Sequence, residues 1–126
     1  MNTLSAVAGQ NITIGPENTA ALIGSEVTLN CAVSNLGTDT LVWQYQDSST
    51  SGVSRIYQSN EADVKPEYRT QYGIDTSVAN SYNLIVKSVA QDVAGRYNCY
   101  VLVANVMGSA SVVAVGKCIR LTIQLH

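Results

Sequence analysis

The stretch Asp92-Val93-Ala94-Gly95-Arg96-Tyr97-Asn98-Cys99-Tyr100 decides how this chain folds. The Ala-Gly pair at its centre favours a turn, and the residues after it alternate in the manner of a β-strand. Tyr97 and Cys99 share one face of that strand, and Asn98 and Tyr100 share the other. We therefore expect one face to join a buried core and the other to meet solvent or a partner.

Two further segments supply candidates for the same core. The alternating stretch Val27-Thr28-Leu29-Asn30-Cys31 ends in a cysteine 68 residues before Cys99. Trp43, the only tryptophan, lies between the two cysteines. Leu84 occupies an inward position of a strand predicted from Ser81 to Lys87. Trp43, Tyr97 and Leu84 are the predicted centre of the core.

The whole chain has the composition of an all-β protein. Val, Ile, Thr and Tyr are plentiful, turn clusters recur, and no segment keeps helical apolar spacing over three turns. The alternating pieces amount to about nine strands without a linker, so we expect residues 1–126 to form a single two-sheet sandwich. A loop is predicted at Asn105–Ala110, and a last strand at Ser111–Leu125 with a bulge near Gly116–Cys118.

Composition and charge exclude several classes of function. Charged residues are 13% of the chain, the net charge is −2, and the seven Lys and Arg are scattered, so no nucleic-acid partner is predicted. No apolar run reaches about 18 residues, so no membrane insertion is predicted. Met1-Asn2-Thr3 leads directly into polar sequence; we expect no signal peptide, and a mature or shortened chain.

The sequence offers no catalytic or metal-binding pattern. Its three cysteines include no Cys-x-x-Cys spacing, and its single histidine is His126, the last residue. A zinc site needs about four clustered ligands, so neither a metal nor a cofactor is predicted. A nucleophile would lack its histidine base, and Glu61 and Asp63 fall in loops. We expect the protein not to be an enzyme.

Taken together, these features resemble the variable-type (V-set) immunoglobulin domain over nearly the whole chain. The Cys–Trp–Cys order with a tyrosine two residues before the second cysteine is typical of that family. Trp43-Gln44-Tyr45-Gln46 resembles its Trp-x-x-Gln run, and Arg55-Ile56-Tyr57 resembles its extra edge strand. The segment Val115–Ile123 resembles the joining segment of variable domains. The implied fold is an immunoglobulin-like β-sandwich of two antiparallel sheets.

The resemblance assigns roles to residues of the core and the corner. It implies a disulfide between Cys31 and Cys99 under Trp43; the alternative is two buried thiols packed as small apolar groups. It implies that the Tyr97 hydroxyl bonds to backbone near Gln91–Val93. The family pairs an Asp before the second cysteine with a basic residue. Here that Asp is shifted one position, to Asp92, and its candidate partner is Arg69.

Two residues carry hypotheses about covalent modification. Cys118 is left over once the other cysteines pair. It is predicted to be a free thiol in the bulge of the last strand, and the alternative is an intermolecular disulfide. Asn11-Ile12-Thr13 is a glycosylation sequon on a predicted edge strand, where a glycan would block pairing with another edge.

The outward face of the sheet that contains Cys99 is the predicted interface. It is short of charge and includes two tyrosines and a leucine, a composition typical of interface cores. The resemblance implies that two domains pair about a twofold axis through this face, so we expect a homodimer. The alternative is a surface covered by the Asn105–Ala110 loop. The predicted interface residues are Gln44, Gln46, Tyr57, Asn98, Tyr100 and Leu102.

A second candidate surface is formed by loops. The loops at Ser34–Thr40, Gln58–Asp63 and Ala104–Ala110 are expected to cluster at one end of the sandwich, where variable domains bind ligand. Val106 and Met107 are the apolar candidates for contact with a protein ligand there.

The sequence therefore predicts an extracellular binding module that acts on protein ligands or on itself. We interpret it as part of an immune-type or adhesion receptor at the cell surface, homodimeric through the face described above. The alternatives are a monomeric module of a signalling receptor, such as a receptor kinase, or a secreted recognition protein.

Overall fold

The computed structural model describes residues 10–47 and 52–116. This part of the chain contains ten β-strands and two short 3-10 helices. The strands are β1 (Asn11–Ile14), β2 (Thr19–Leu22), β3 (Val27–Leu29), β4 (Ala32–Ser34), β5 (Leu41–Gln46), β6 (Val53–Gln58), β7 (Tyr72–Asp75), β8 (Asn83–Val86), β9 (Gly95–Val101) and β10 (Val106–Val115), and the helices are Pro66–Tyr68 and Gln91–Val93.

The larger layer is a five-stranded sheet in the order β2-β10-β9-β5-β6. Its central pairs are antiparallel, whereas the edge strand β2 runs parallel to β10. At the other edge, β6 pairs with β5. Residues 59–71 between β6 and β7 form turns and a 3-10 helix and no strand, so β6 is the edge of this sheet.

The second layer contains the ladders β3-β8-β7 and β1-β4. They are joined at Cys31, between β3 and β4, where the backbone N–H donates to Asn83 Oδ1 (3.0 Å) and the carbonyl accepts from Tyr82 N–H (2.7 Å). A bridge between Ala32 and Ser81 continues the pairing. β3 and β4 are thus one interrupted strand, and the predicted all-β sandwich of about nine strands is confirmed.

The core lies between the two layers and is fastened covalently. As predicted, a disulfide joins Cys31 of the second layer to Cys99 on β9. Trp43 is the neighbour of Cys99 on β5, and its indole N–H donates to the Tyr82 carbonyl (2.7 Å). Both cysteines, Trp43 and Leu84 are 0% exposed. The indole N–H is the polar atom of this group that needs a partner, and it has one.

The connection between β9 and β10 corrects the prediction of a loop at Asn105–Ala110. β9 ends at Val101 and β10 begins opposite it at Val106. Asn105 adopts a positive φ of 58°, which asparagine tolerates, and its N–H donates to the Val101 carbonyl (2.9 Å). A tight hairpin turn therefore replaces the loop, and Val106 and Met107 lie in a strand. Of the predicted bulge near Gly116–Cys118, only Gly116 lies within the described residues, so the bulge stays a prediction.

The position of Tyr57 is a second correction. It was expected on the outward face, but it is 2% exposed and belongs to the core. The register between β5 and β6 shifts: Trp43 lies opposite Tyr57 and Gln44 lies opposite Arg55, which leaves Ile56 as an extra residue. Such a bulge turns two consecutive side chains to one face. Burial raises the pKa of the Tyr57 hydroxyl.

A buried pair of tyrosines closes the end of the sandwich that contains the 3-10 helix Gln91–Val93. As predicted, the Tyr97 hydroxyl donates to backbone, here the Val93 carbonyl (2.6 Å). The Tyr72 hydroxyl lies 2.7 Å from that of Tyr97 and, since the Tyr97 proton is used, donates to it. Burial raises the pKa of Tyr72 to about 12 and raises that of Tyr97 as well. Both hydroxyls therefore stay protonated at neutral pH.

At the opposite end, the side chain of Asp39 ties a loop to the hairpin turn. Its carboxylate accepts from the N–H groups of Val103 (2.9 Å), Ala104 (3.0 Å) and Thr40 (2.8 Å). Desolvation alone would raise the pKa of Asp39, but these three donors outweigh it, and the pKa falls below 3.8. The ionised form of Asp39 holds this end together.

The Tyr97→Phe variant tests the buried pair. It leaves the Val93 carbonyl without its donor and the Tyr72 hydroxyl without its acceptor, so we expect a loss of about 1–3 kcal/mol in the free energy of unfolding. Urea denaturation of the oxidised protein measures this loss. Tyr100→Phe is the matched control, because its hydroxyl bonds to Arg55 at the surface and its removal should cost less than about 0.5 kcal/mol. Equal losses in the two variants would contradict this account.

The Asp39→Asn variant tests the tie between loop and hairpin. Because the folded pKa lies below 3.8, the contribution of Asp39 is fully present above that pH and is lost as the pH falls through the folded value. We expect the difference in unfolding free energy between wild type and variant to be constant above about pH 5 and to shrink in more acid solution. Urea denaturation at several pH values checks this, with the exposed Glu67→Gln as control. A difference independent of pH down to about pH 2 would refute the role of the carboxylate.

Candidate functional site

The outward side of the five-stranded sheet forms a surface that we call the outer face. Cross-strand pairing arranges its side chains in three rows, each of which crosses β10, β9, β5 and β6 in that order. The rows are Met107–Tyr100–Val42–Gln58, Ser109–Asn98–Gln44–Arg55 and Ser111–Arg96–Gln46–Val53. The row with Met107 lies next to the hairpin turn.

The row next to the hairpin is the apolar part of the outer face. Met107 is 61% exposed, and Leu102, the first residue of the turn, is 42% exposed. Tyr100 is half-buried, and Val42 beside it is buried between Tyr100 and Gln58. The outer face thus presents two flexible apolar side chains and one aromatic ring over a filled base.

The middle of the outer face is polar and closely bonded. Asn98, predicted to be an interface residue, is only 5% exposed because Ser109 covers it, and its Oδ1 accepts from the Ser109 hydroxyl (2.6 Å). Gln44 and Gln46, also predicted there, are half-buried on the adjacent strand. Asn98 therefore orders the surface, and the two glutamines remain accessible to a partner.

The three rows contain two charged side chains, Arg55 and Arg96, and both are positive. Arg55 donates through Nη2 to the Tyr100 hydroxyl (3.1 Å) and through Nη1 to Gln58 Oε1 (3.5 Å). Arg96 lies in the third row, opposite Gln46. The rows contain no carboxylate. The bond from Arg55 holds the Tyr100 ring in place beside Met107.

Sequence reasoning missed two contributors to the outer face, Met107 and Arg55. Met107 was predicted to lie in a ligand-binding loop. In the structure it lies in β10, where Val113 is 54% exposed and alternation back from Val113 puts Met107 on the outer face. The asparagine at position 105 was the available sequence signal for a tight hairpin, because asparagine tolerates the positive φ that it adopts here. Arg55 alternates with the outward residues of β6 until the bulge, so its facing could have been read from the strand.

The predicted ion pair between Arg69 and Asp92 does not form. Arg69 Nε lies 3.3 Å from Asp63 Oδ2 and also donates to the Val64 carbonyl (3.1 Å). Asp92 Oδ2 accepts from Gln71 Nε2 instead (3.1 Å). Since Arg69 follows the 3-10 helix Pro66–Tyr68, its side chain is held by the preceding loop rather than by the corner that contains Asp92.

The remaining predicted sites have the following positions. Asn11 of the sequon is exposed on β1, whereas Cys118 lies outside the described residues. Over residues 10–47 and 52–116, no three His, Cys, Asp or Glu side chains gather as metal ligands would. Within the same ranges, no helix has the length and apolarity needed to cross a membrane.

Comparison with solved structures places this architecture among immunoglobulin domains. The chain is similar to the RIG-5 IG1 homodimer (TM-score 0.74, 19% identity, 86% of this chain and 99% of that one). It is similar to Dpr1 IG1 bound to DIP-eta IG1 (TM-score 0.71, 19% identity, 88% and 100%). A more distant likeness is to the complex of titin M10 with obscurin-like 1 (TM-score 0.62, 15% identity, 86% and 95%). At these identities the likeness shows the fold.

Comparison with curated proteins gave no match. The family model of the immunoglobulin domain matches residues 10–102, which include both cysteines of the disulfide, the buried tryptophan and all of β9. This match spans well over half of the sequence. The chain belongs to the immunoglobulin domain family.

Proposed function

We propose that this immunoglobulin domain is an extracellular recognition module that pairs with a second copy of itself through the outer face. The observation that carries the proposal is the exposed apolar group of Leu102, Tyr100 and Met107 at one end of that face. Interface cores are enriched in aromatic residues and methionine and depleted of charge. This group has that composition.

The hairpin geometry supports the proposal. The alternative was a surface covered by the protein's own Asn105–Ala110 loop, but residues 106–110 are part of β10 and therefore of the sheet itself. Met107 and Leu102 extend from this sheet and its turn with about half of their surface exposed. Contiguous apolar surface of this kind marks an interaction site more often than isolated apolar residues do.

A symmetric pair is the simplest arrangement of two such faces. A twofold axis brings the same patch of both copies together, so each group must be compatible with its own counterpart. Gln44 and Gln46 on β5 meet this condition, because a glutamine amide both donates and accepts and can bond its own counterpart. The proposed interface comprises these glutamines, Tyr100, Leu102 and Met107, with Asn98 ordering its base.

The similar structures support a role in pairing domain to domain. RIG-5 IG1 is described as a homodimer, and Dpr1 IG1 as bound to DIP-eta IG1. Both are immunoglobulin domains of nearly the same extent as this chain. They provide examples of self-pairing and of pairing with a different domain.

The two arginines of the outer face favour a second candidate, pairing with a different protein. Arg55 and Arg96 meet no carboxylate within the three rows, so a partner with acidic residues would complement them. In a homodimer the same arginines must lie at the rim. Salt then distinguishes the candidates, because screening weakens attraction to an acidic partner and relieves repulsion between like charges.

The disulfide supports an extracellular location. Disulfides persist mainly in oxidising compartments, such as the cell surface and the secreted fluid. We propose that the domain belongs to an adhesion or immune-type receptor; a signalling receptor or a secreted recognition protein would use the same face. The exposed sequon at Asn11 lies in the second layer and leaves the outer face open.

Met107→Asp tests the interface directly. A charge in the apolar row would be desolvated without a partner, so we expect the dimer to weaken by at least tenfold. Sedimentation velocity across a concentration series measures the change. The matched control is Val78→Asp, which places the same charge at an exposed apolar residue (64% exposed) between β7 and β8 and should leave dimerisation unchanged.

Two outcomes would contradict the homodimer. One is a wild-type protein that remains monomeric at high micromolar concentration. The other is an equal effect of the Met107 and Val78 substitutions. A monomer that binds a separate acidic immunoglobulin domain, and loses that binding with Met107→Asp, would establish the second candidate instead.

A further inference from the structure

A cavity of about 160 Å³ opens at the end of the sandwich away from the hairpin turn. Buried Ile56 and Tyr72 form its floor, and the half-buried rings of Tyr45 and Tyr68 form its walls. Gln71 and the exposed Asp92 stand at its rim. A cavity of about 150 Å³ is large enough to admit a ligand of the size of benzene.

Two of the three tyrosines that line this cavity bond their hydroxyl groups elsewhere and offer it ring surface. The Tyr45 hydroxyl donates to the Ala94 carbonyl (2.6 Å), and the Tyr72 hydroxyl is bonded to that of Tyr97. The rings of Tyr68 and Tyr72 meet edge to face with centroids 6.2 Å apart. Aromatic faces carry partial negative charge and attract cations within about 6 Å.

A carboxylate adds negative charge at the rim. Asp92 bonds to the neutral amide of Gln71, and the ion pairs of the described residues are Lys65–Glu61 and Arg69–Asp63. No lysine or arginine of residues 10–47 and 52–116 therefore neutralises Asp92. The negative charge of Asp92 acts on two tyrosines of the cavity. Burial raises the pKa of Tyr45 and of Tyr72, and the charge of Asp92 raises both further.

We propose that this cavity binds an organic cation of the alkylammonium class. Its methyl groups would lie against the rings of Tyr45, Tyr68 and Tyr72, and its charge would face Asp92. Asp92 is the one carboxylate among the described residues that line the cavity, which is too few charged ligands for a hard metal ion, and this carboxylate also disfavours an anion. The site is at the other end of the sandwich from the hairpin and is separate from the proposed dimer face.

The bound alkylammonium group could belong to either of two ligands, a free quaternary ammonium compound or the methylated lysine of another protein. Amide NMR titration of the whole oxidised chain tests both. The probes are tetramethylammonium, the peptide-like N-acetyl-trimethyllysine amide, and neutral tert-butanol as the control of similar size. We expect saturable shifts at Gln71, Asp92 and Ser54 with both cations. Binding of the lysine derivative more than tenfold tighter than that of tetramethylammonium assigns the site to a protein side chain, and equal binding assigns it to a free compound.

Variants separate the site from general surface charge. Asp92→Asn keeps an acceptor for Gln71 and removes the charge, so cation binding should weaken about fivefold or more. Glu67→Gln removes a carboxylate from the neighbouring 3-10 helix and should change binding by less than about twofold. Tyr68→Leu removes one half-buried ring and should weaken binding even if Asp92→Asn fails to fold.

Three results would overturn the proposal. The first is the absence of saturable shifts up to about 0.1 M tetramethylammonium, which excludes even a weak site. The second is equal binding of tert-butanol, which would show an apolar cavity without selectivity for charge. The third is equal weakening by Asp92→Asn and Glu67→Gln, which would show attraction to the surface as a whole.

Discussion

The disulfide between Cys31 and Cys99 is the constraint on which the rest of the structure depends. It joins the two layers at their centre and closes a loop of 68 residues, which is worth about 4 kcal/mol in the chain-entropy model. Trp43 is the strand neighbour of Cys99 and bonds across to Tyr82 in the other layer. With β9 fixed inward at Cys99, alternation directs Tyr100 outward. One covalent bond thus orients both the core and the outer face.

The parts of the fold that follow from local patterns could be predicted from the sequence. The two cysteines, Trp43 and Tyr97 stand on alternating strands at spacings that few arrangements satisfy, and the structure buries all four. The positions that failed depend on contacts between strands. Tyr57 turns inward because one residue of β6 bulges out of register with β5. The alternation of apolar and polar residues within β6 does not reveal this shift.

The sequence predicted the sheet face on which the candidate site lies, but not every residue that belongs to it. Tyr100, Leu102 and the glutamines of β5 lie where alternation places them, whereas Met107 joins them only because the hairpin is tight. Arg69 could not be placed from sequence, since its partner depends on how the loop after β6 folds back; that loop supplies Asp63. Because Arg69 pairs with Asp63, Asp92 has no cationic partner among the described residues and lies beside a cavity lined by aromatic rings.

The central claim is that the apolar end of the outer face binds a second copy of the chain. Amide NMR spectra of the wild-type protein, recorded across a dilution series, test it most directly. We expect the signals of Gln44, Tyr100, Leu102 and Met107 to move with concentration along a single dimerisation curve, while those of β3, β7 and β8 stay fixed. Spectra that do not change with concentration, or changes confined to the second layer, would contradict it.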